Sequence, residues 1–552
     1  MPKVTFKTAM VQKLLGKKIP LDKLQERIFM IGSDLDRIDE QEIEVEIFPN
    51  RPDMLSEQGF ARALSAFMGI SPGIRQYAVK KSGEHCTVEK TLKMWPYAVT
   101  CIVKGLSLDD EKIRDIIQVQ EKLAVTFCRN RKKGGLGIYP LDKIHFPIKF
   151  TTMPPDQIKF RPLEADQILN GRQILSRHPT GKKYGHIIEE QKEFPVFIDS
   201  QGSVLSMPPI INSHDVGKIT ESTKDVFLEA TGPDLNTLTV AINILATTLA
   251  DMGGQIYSME VRYADRKLII PELSSGEMKV EPEYVNRMLG TELKVHEIKE
   301  LLQRMGMNYV NGKAVIPAYR ADILHPFDIV EDIAIAFGYE NFTPVIPKVA
   351  TIAQQSAMES FKSTLANFLI GLGFVEANTY HLTNAQSLTS RMNTVASYIS
   401  IDNSVNENFD VVRSWLLPSL MGVLSENTHN ELPQKVFEIG RCFTEDSGPE
   451  SGVRETEKLA LVWAGNEVTF TDIKQVFGWI CRNLGEDVPV RESLHMSFIP
   501  GRAAEARLGG KMLAMMGEIR PEVLESWQLS TPVVALELNV SMIHEHIQNK
   551  LR

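Results

Sequence analysis

The chain has 552 residues, which is too long for a single hydrophobic core and predicts about four domains. Apolar residues make up 43% and charged residues 24%, so neither general disorder nor a membrane protein is indicated, and a formal charge of -9 argues against general coating of nucleic acid. The cysteines are odd in number, widely spaced and without a CxxC pair. They are therefore predicted to be free thiols in a reducing cytoplasm, and a zinc site is not expected.

The first predicted domain covers residues 1–80. The alternating stretch that starts at Ile43 predicts a strand, Pro49 and Pro52 bracket a turn, and Gly59–Met68 repeats at helical spacing. Asp53 or Ser56 is positioned to cap this helix. An equally good interpretation is that Asp53 and its neighbours Asn50 and Arg51 only close the turn. A boundary is expected near residues 71–83.

The second predicted domain, residues 84–258, is an α+β module. The sequence predicts a strand at Tyr97–Gly105, a helix at Leu108–Thr126, short strands at Val196–Asp199, Val204–Ser206 and Val226–Glu229, and a helix at Leu235–Met252. Polar residues gather at the strand ends: Asn212, Ser213, His214, Glu229, Thr231 and Asp234. They belong either to a functional site or to turns in which their side chains hydrogen-bond to the backbone. The pattern alone favours turns, with His214 as a loop residue.

A basic cluster lies in the same module. Four of the five residues from Arg129 to Lys133 are basic, directly before a glycine-containing loop. Such a cluster can meet phosphates by charge, or it can complement the dipole at the end of a helix. Both interpretations stay open, and a contact with the phosphates of a nucleic acid is one of them.

The third predicted domain, residues 268–345, is small and helical, resembling a winged helix. Two helical pieces around Gly290 precede a helix rich in carboxylates. Asp328, Glu331 and Asp332 have spacing i, i+3 and i+4 and share a face, with Asp322 just upstream. Oxygen ligands predict a hard cation, Mg²⁺ or Ca²⁺. The alternative is an acidic first turn that is stabilised by the helix dipole and open to water.

The last predicted domain, residues 350–552, combines antiparallel strands with long helices. A helix is predicted at Ser360–Gly371, a strand at Glu376–Leu382, and a second strand at Val436–Phe443. No P-loop or dinucleotide-binding fingerprint occurs in the sequence.

Four stretches resemble the phenylalanyl-tRNA synthetase beta-subunit family in its archaeal and eukaryotic form, and they occur in the family's order. The matching residues are Glu46, Asn50, Arg51, Pro52, Asp53, Gly59, Ala61 and Arg62; 207–212 and 227–232; Asp322, Asp328, Glu331, Asp332, Gly338 and Tyr339; and Asn403, Arg413, Leu417, Pro418, 437–440, 500–504, Gly517 and Glu518. One position departs from the family pattern, because the last acidic ligand is often Glu and is Asp332 here.

The resemblance implies a multidomain α+β fold. It comprises an α+β editing module, small winged-helix-like domains and a non-catalytic, antiparallel class II synthetase-like core, since the arginines that a working class II site uses for ATP are not found. Residues 84–258 would hydrolyse tyrosine wrongly esterified to the phenylalanine tRNA. Glu229 would hold the phenolic hydroxyl, and Asn212, Thr231 and Asp234 would orient the water or the ester. No covalent nucleophile is predicted.

The resemblance also implies partners. Asp322, Asp328, Glu331 and Asp332 would share Mg²⁺ with an alpha subunit that uses ATP to charge tRNA(Phe), in a cytoplasmic α2β2 ligase without a membrane anchor. Two other hypotheses remain at this point. One is a deacylase that acts alone, and the other is a metal-stabilised scaffold without chemistry.

Overall fold

The computed structural model describes residues 2–347, 349 and 353–551. The chain divides into two compact units, Met1–Ile346 and Pro347–Arg552. This division lies between the third and fourth domains that the sequence predicts. The first three predicted domains all belong to the first unit, so their separate boundaries stay predictions. All five cysteines are buried and free, as predicted. No helix in the described part of the chain is long and apolar enough to cross a bilayer.

The N-terminal region of the first unit is a small sheet with three helices. Its elements are β1 (Lys3–Lys7), α1 (Thr8–Leu15), α2 (Leu21–Met30), β2 (Asp34–Ile38), β3 (Glu42–Glu46) and α3 (Glu57–Phe67). The strand order is β1-β3-β2, antiparallel throughout. The predicted strand, turn and helix are confirmed. Ser56 is the cap, because its Oγ accepts the Gly59 N–H, whereas Asp53 pairs with Arg51 at 2.9 Å.

A ten-stranded sheet forms the centre of the first unit. Its elements and the pieces around it are β4 (Val79–Val88), β5 (Tyr97–Lys104), α4 (Asp110–Val125), β6 (Gly135–Pro140), β7 (Ile148–Met153), β8 (Lys159–Phe160), β9 (Leu169–Asn170), α5 (Gly171–Arg177), α6 (Pro179–Tyr184), β10 (Phe194–Ile198), β11 (Val204–Met207), β12 (Ile211–Asn212), α7 (His214–Gly217), β13 (Val226–Gly232), α8 (Leu235–Asp251), β14 (Gln255–Arg262) and β15 (Lys267–Ile270). The order is β12-β11-β10-β7-β4-β14-β5-β13-β6, with β15 on β14. Every residue of β13 is buried, since it pairs with β5 on one side and β6 on the other.

The third region of the first unit combines a short sheet with three helices. Its elements are β16 (Gly276–Lys279), α9 (Pro282–Leu289), α10 (Val295–Arg304), β17 (Asn308–Val310), β18 (Lys313–Ile316) and α11 (Pro326–Phe337). The strand order is β16-β18-β17. The two predicted helical pieces are α9 and α10. Gly290 ends α9 in the left-handed conformation, with φ of 68°.

The second unit is built on a seven-stranded sheet. Its elements are α12 (Ala357–Gly371), β19 (Val375–Glu376), β20 (Leu382–Thr383), α13 (Ala385–Leu388), β21 (Ile399–Ser400), β22 (Val411–Val412), α14 (Leu417–Glu426), β23 (Gln434–Glu445), β24 (Val453–Ala464), α15 (Phe470–Asn483), β25 (Val490–Glu492), β26 (Phe498–Leu508), β27 (Lys511–Ile519), α16 (Pro521–Ser526), β28 (Val533–Asn539) and α17 (Val540–Leu551). The main sheet has the order β19-β23-β24-β28-β27-β26-β25, and only the β19–β23 pair is parallel.

One predicted strand of the second unit is wrong. The sequence predicted a continuous strand at Glu376–Leu382, but the structure has two separate two-residue strands at its ends, β19 and β20. Between them the backbone makes isolated hydrogen bonds to other segments and no continuous ladder. The Ala377 N–H donates to the Phe437 carbonyl, and the Arg413 N–H donates to the His381 carbonyl. The β-branched and aromatic residues that suggested a strand therefore lie in a bent connection.

Candidate functional site

The candidate site is centred on Glu229, in the middle of β13. Its carboxyl group is almost completely buried, with 2% of the residue exposed. Glu229 lies opposite Thr100 on β5 and Gly137 on β6. Side chains alternate along a strand, so Phe227 and Thr231 share the face of Glu229. On that face the Phe227 ring packs against the Tyr139 ring, at 5.8 Å between centroids.

Two polar side chains meet the Glu229 carboxyl group. The Tyr139 hydroxyl lies 2.9 Å from Glu229 Oε1 and 3.1 Å from Asn212 Oδ1. A side chain at position 137 would not fit beside them, because its Cβ would come within 2.4 Å of both Glu229 Oε1 and the Tyr139 hydroxyl. The glycine on β6 therefore makes the space in which the glutamate and the tyrosine meet.

The electrostatic environment favours a neutral Glu229. Burial raises the pKa of Glu229 to about 8, and the hydrogen bond from Tyr139 offsets only part of that rise. Burial and the Glu229 carboxyl group also raise the pKa of Tyr139. Glu229 Oε2 has no well-aligned hydrogen-bond partner among the described residues, and neither does the buried Thr231 hydroxyl. Unpaired buried polar atoms are unfavourable, so this environment is suited to a ligand that supplies hydrogen bonds.

A cleft leads to Glu229. Its inner part is a cavity of about 110 Å³ that Glu229 lines, and its outer part has about 480 Å³. The two parts share lining residues, among them Gln120, Arg131 and Asn212. The outer volume lies in the range of small-molecule sites, roughly 300–1,000 Å³. His214 lines the outer part as well, so its predicted role as a plain loop residue does not describe its position.

Arg131 holds one wall of this cleft. Arg129, Asn130 and Arg131 have φ of 49°, 52° and 64°, a left-handed turn after α4 that is rare for residues other than glycine. The turn directs the Arg131 guanidinium to the carbonyls of Pro209 and Ile210, at 2.9 and 2.8 Å. Burial lowers its pKa. Of the predicted basic cluster, Arg131 is therefore engaged inside the protein, whereas Arg129 and Lys132 are exposed.

Asp234 does not join the other predicted residues. It is exposed, and its carboxylate accepts the Thr237 N–H at 2.7 Å as the N-cap of α8. This hydrogen bond lowers the pKa of Asp234. The side chain serves the helix that follows the strand. The prediction that Asp234 orients a water or an ester stays a prediction. Glu229, Asn212 and Thr231 remain together on one side of the sheet.

The four carboxylates predicted to bind magnesium do not converge. The buried Arg320 guanidinium donates to Asp322 at 2.7 and 2.8 Å and to Asp332 at 2.7 Å. Asp328 accepts the backbone N–H groups of Leu324 and His325. Glu331 is exposed. Across residues 2–347, 349 and 353–551, no three His, Cys, Asp or Glu side chains are placed to hold a metal ion. The four residues thus do not fit one cation site within this chain, and the magnesium prediction stays a prediction.

The second unit buries its own ion pairs. Arg413 is 1% exposed and donates to Glu438 at 2.6 Å and to the Thr379 hydroxyl at 2.8 Å. Lys458 donates to Glu537 at 2.9 Å, and Glu537 also accepts the N–H groups of Leu416 and Leu417. These groups are already paired, so they hold strands and loops together.

Sequence reasoning missed a basic surface in the N-terminal region. This surface encloses an open cavity of about 530 Å³, which is lined by five basic residues and no acidic one. The basic residues are Lys17, Lys18, Lys23, Arg27 and Arg304. Burial and repulsion from Arg27 lower the pKa of Arg304. The first four lie close together in the sequence, among Asp22 and Glu26, but Arg304 comes from α10 and only the fold brings it there.

Known proteins identify the class to which this chain is similar. Residues 278–339 match the model of the tRNA synthetase B5 domain, and residues 343–540 match the model of the phenylalanyl tRNA synthetase beta chain CLM domain. The chain is thus related to subunits of aminoacyl-tRNA synthetases.

Curated relatives extend the similarity to the whole chain. It is 37% identical to the phenylalanine-tRNA ligase beta subunit of Thermococcus sibiricus, over 98% of both chains, and 38% identical to that of Archaeoglobus fulgidus, also over 98% of both. A solved N-terminal fragment of the phenylalanyl-tRNA synthetase beta subunit from Pyrococcus horikoshii is 37% identical, with a TM-score of 0.58. The structural match covers 61% of this chain and 99% of the fragment. The chain belongs to the phenylalanine-tRNA ligase beta-subunit family.

Proposed function

We propose that this chain hydrolyses Tyr-tRNA(Phe) at the Glu229 cleft and supports the charging of tRNA(Phe) with phenylalanine by an alpha subunit. The observation that carries the proposal is the buried Glu229 carboxyl group, whose Oε2 has no aligned partner at the inner end of a cleft. A tyrosyl hydroxyl would supply the missing hydrogen bond. Phenylalanine has no hydroxyl and would leave the carboxyl group unpaired.

This arrangement addresses a problem of selectivity. An apolar pocket that accepts phenylalanine rejects the added hydroxyl of tyrosine only weakly, whereas a pocket that hydrogen-bonds the hydroxyl distinguishes the two strongly. Tyr139 occupies Oε1 and thereby fixes the orientation of the carboxyl group. The second oxygen stays available for the substrate.

The hydrolytic step is proposed to use a water molecule directly. Asn212 lies within hydrogen-bond distance of Tyr139, and the Thr231 hydroxyl is buried without a partner on the face of Glu229. These two groups are candidates to orient the water or the ester carbonyl. Attack on the ester carbon would release tyrosine and restore the free 3′ end of the tRNA.

Partners follow from the same proposal. Charging would be performed by an alpha subunit with ATP, in an α2β2 assembly, and the basic surface around Lys18 and Arg304 would meet the tRNA backbone by charge. Of the four carboxylates predicted to bind magnesium, Asp328 and Glu331 have no arginine partner among the described residues. They would contribute to a shared site only if the alpha subunit supplied further ligands. Binding of Mg²⁺ to the assembled ligase, compared between wild type and Asp328→Asn/Glu331→Gln, tests this.

The decisive experiment is deacylation of Tyr-tRNA(Phe) by the ligase with both subunits. Replacing Glu229 by Ala should slow hydrolysis by about ten- to a hundredfold, the equivalent of one hydrogen bond to a charged or strongly polar partner. Phenylalanine activation should not change. Glu221→Ala, an exposed glutamate before β13, is the matched control. Unchanged hydrolysis by Glu229→Ala would refute the assignment of Glu229.

A further inference from the structure

A second cavity lies in the first unit and shares no lining residue with the Glu229 cleft. It has about 450 Å³. Its walls come from α1, α3, the segment 70–75, the end of α8, and residues 305–306 and 319–320. Neither the sequence motifs nor the proposed hydrolysis gives this cavity a role.

The walls of this cavity carry an excess of positive charge. Two carboxylates line it, Asp53 and Asp251, against five basic side chains: Lys13, Arg51, Arg62, Arg75 and Arg320. Asp53 is paired with Arg51, and Arg320 is paired with carboxylates outside the lining.

The excess is concentrated around Asp251. This single carboxylate accepts from Arg62 at 2.9 Å and from Arg75 at 3.1 Å. Lys13 has no carboxylate partner within the described residues. Two guanidinium groups therefore share one carboxylate, and the Lys13 ammonium group lines the same cavity.

The cavity also carries unsatisfied polar atoms. Arg62 Nη2 and Gln58 Oε1 have no hydrogen-bond partner within the described residues, and the two residues are 9% and 5% exposed. They are four residues apart on α3 and therefore share a helix face. The Arg62 guanidinium is stacked on the Tyr319 ring at 3.9 Å, which fixes its plane. A fixed donor and a nearby acceptor, both buried and both unpaired, are unfavourable in the absence of a ligand.

We propose that this cavity binds a phosphorylated small molecule of about mononucleotide size. Lys13, Arg62 and Arg75 would meet the phosphate oxygens, because guanidinium groups match phosphate geometry with paired N–H donors. Gln58 would accept a hydrogen bond from a hydroxyl or amino group of the same ligand. Arg75, at 55% side-chain exposure, lies at the entrance. The volume fits one such ligand, since small-molecule sites occupy roughly 300–1,000 Å³.

The test is calorimetric titration of the assembled ligase with inorganic phosphate, adenosine monophosphate and acetate. Saturable binding of phosphate and of the nucleotide is expected in addition to any binding at the ATP site of the alpha subunit, with acetate much weaker. Arg75→Ala and Lys13→Ala should each weaken both by about tenfold, the loss of one charge-assisted contact. Both side chains are exposed, so the variants should fold. Lys192→Ala and Lys474→Ala, two exposed lysines without ion-pair partners in the described chain, are the charge-matched controls.

Several outcomes would overturn the proposal. These are no saturable binding of phosphate or nucleotide below about 10 mM, equal binding of acetate, or equal weakening by the control variants. Displacement of phosphate by tRNA but not by the nucleotide would assign the cavity to an RNA backbone and would also overturn it. Tyr-tRNA(Phe) hydrolysis, measured on the same samples, reports on the Glu229 cleft separately.

Discussion

Two sites in the first unit with buried carboxyl groups can be compared, the Asp322 and Asp332 pair and Glu229, and their surroundings differ in one respect. Asp322 and Asp332 share the Arg320 guanidinium between them. Glu229 is buried as deeply as Asp332, yet no cation among the described residues lies against it. Burial raises the pKa of both carboxyl groups, and that of Glu229 reaches about 8. A carboxylate with an arginine is already satisfied and stabilises the fold. A carboxyl group without one keeps hydrogen-bonding capacity that a ligand can use.

The largest expected effect comes from removing the shared cation. Arg320→Ala would leave two buried carboxylates unpaired and should lower the free energy of unfolding of the first unit by about 3–5 kcal/mol. Denaturant unfolding measures this. Arg287→Ala, an exposed arginine of α9, should stay within about 0.5 kcal/mol of wild type. A loss under about 1 kcal/mol for Arg320→Ala would show that the two aspartates do not depend on it.

The next effect is a dependence of stability on pH at Glu229. Its pKa in the folded protein, about 8, lies above its usual value of 4.5, so the folded state retains a proton that the unfolded state releases. This contribution to stability is complete below about pH 4.5 and is lost as the pH rises toward about 8.

Glu229→Gln removes that titration. Relative to wild type, the variant should gain stability steadily between about pH 5 and pH 8, as measured by unfolding at several pH values. Glu221→Gln should run parallel to wild type. If the difference between Glu229→Gln and wild type did not change with pH, Glu229 would titrate normally and the contrast with Asp322 and Asp332 would fail.

A smaller effect should follow from Tyr139→Phe. The hydroxyl lies 2.9 Å from Glu229 Oε1 and 3.1 Å from Asn212 Oδ1 and donates its one hydrogen between them, so its loss should cost about 1–3 kcal/mol in the unfolding free energy. Tyr-tRNA(Phe) hydrolysis should fall as well, because the carboxyl group is no longer fixed. Tyr284→Phe is the control, since that hydroxyl makes no hydrogen bond among the described residues. Full stability of Tyr139→Phe would contradict the observed pairing.

The smallest effect is expected at Asp234. Asp234→Ala should lower the unfolding free energy by about 1 kcal/mol through loss of the α8 cap. Asp234→Ser should restore most of it. Hydrolysis of Tyr-tRNA(Phe) should be the same in wild type and both variants, and a large loss of hydrolysis would return Asp234 to the site.

The sequence predicted what depends on local pattern. The helices α8 and α12 were predicted, β13 was predicted as a short strand between turn residues, and Ser56 was among the two caps considered. Contacts between distant segments could not be read in this way. Tyr139 reaches Glu229 because β6 pairs with β13, 90 residues further along the chain. The carboxylates of α11 suggested a cation, but only the fold shows that Arg320 pairs with one of them, Asp332.

Gly137 shows how little chemistry a decisive position needs. Glycine has no side chain to donate or accept a hydrogen bond. An added methyl group at this position would nevertheless collide with Glu229 Oε1 and the Tyr139 hydroxyl. A natural variant with alanine there would keep every polar residue of the cleft and still lose the arrangement. On the proposed function, a genetic screen for cells that grow poorly in excess tyrosine should therefore recover substitutions at Gly137 as well as at Glu229.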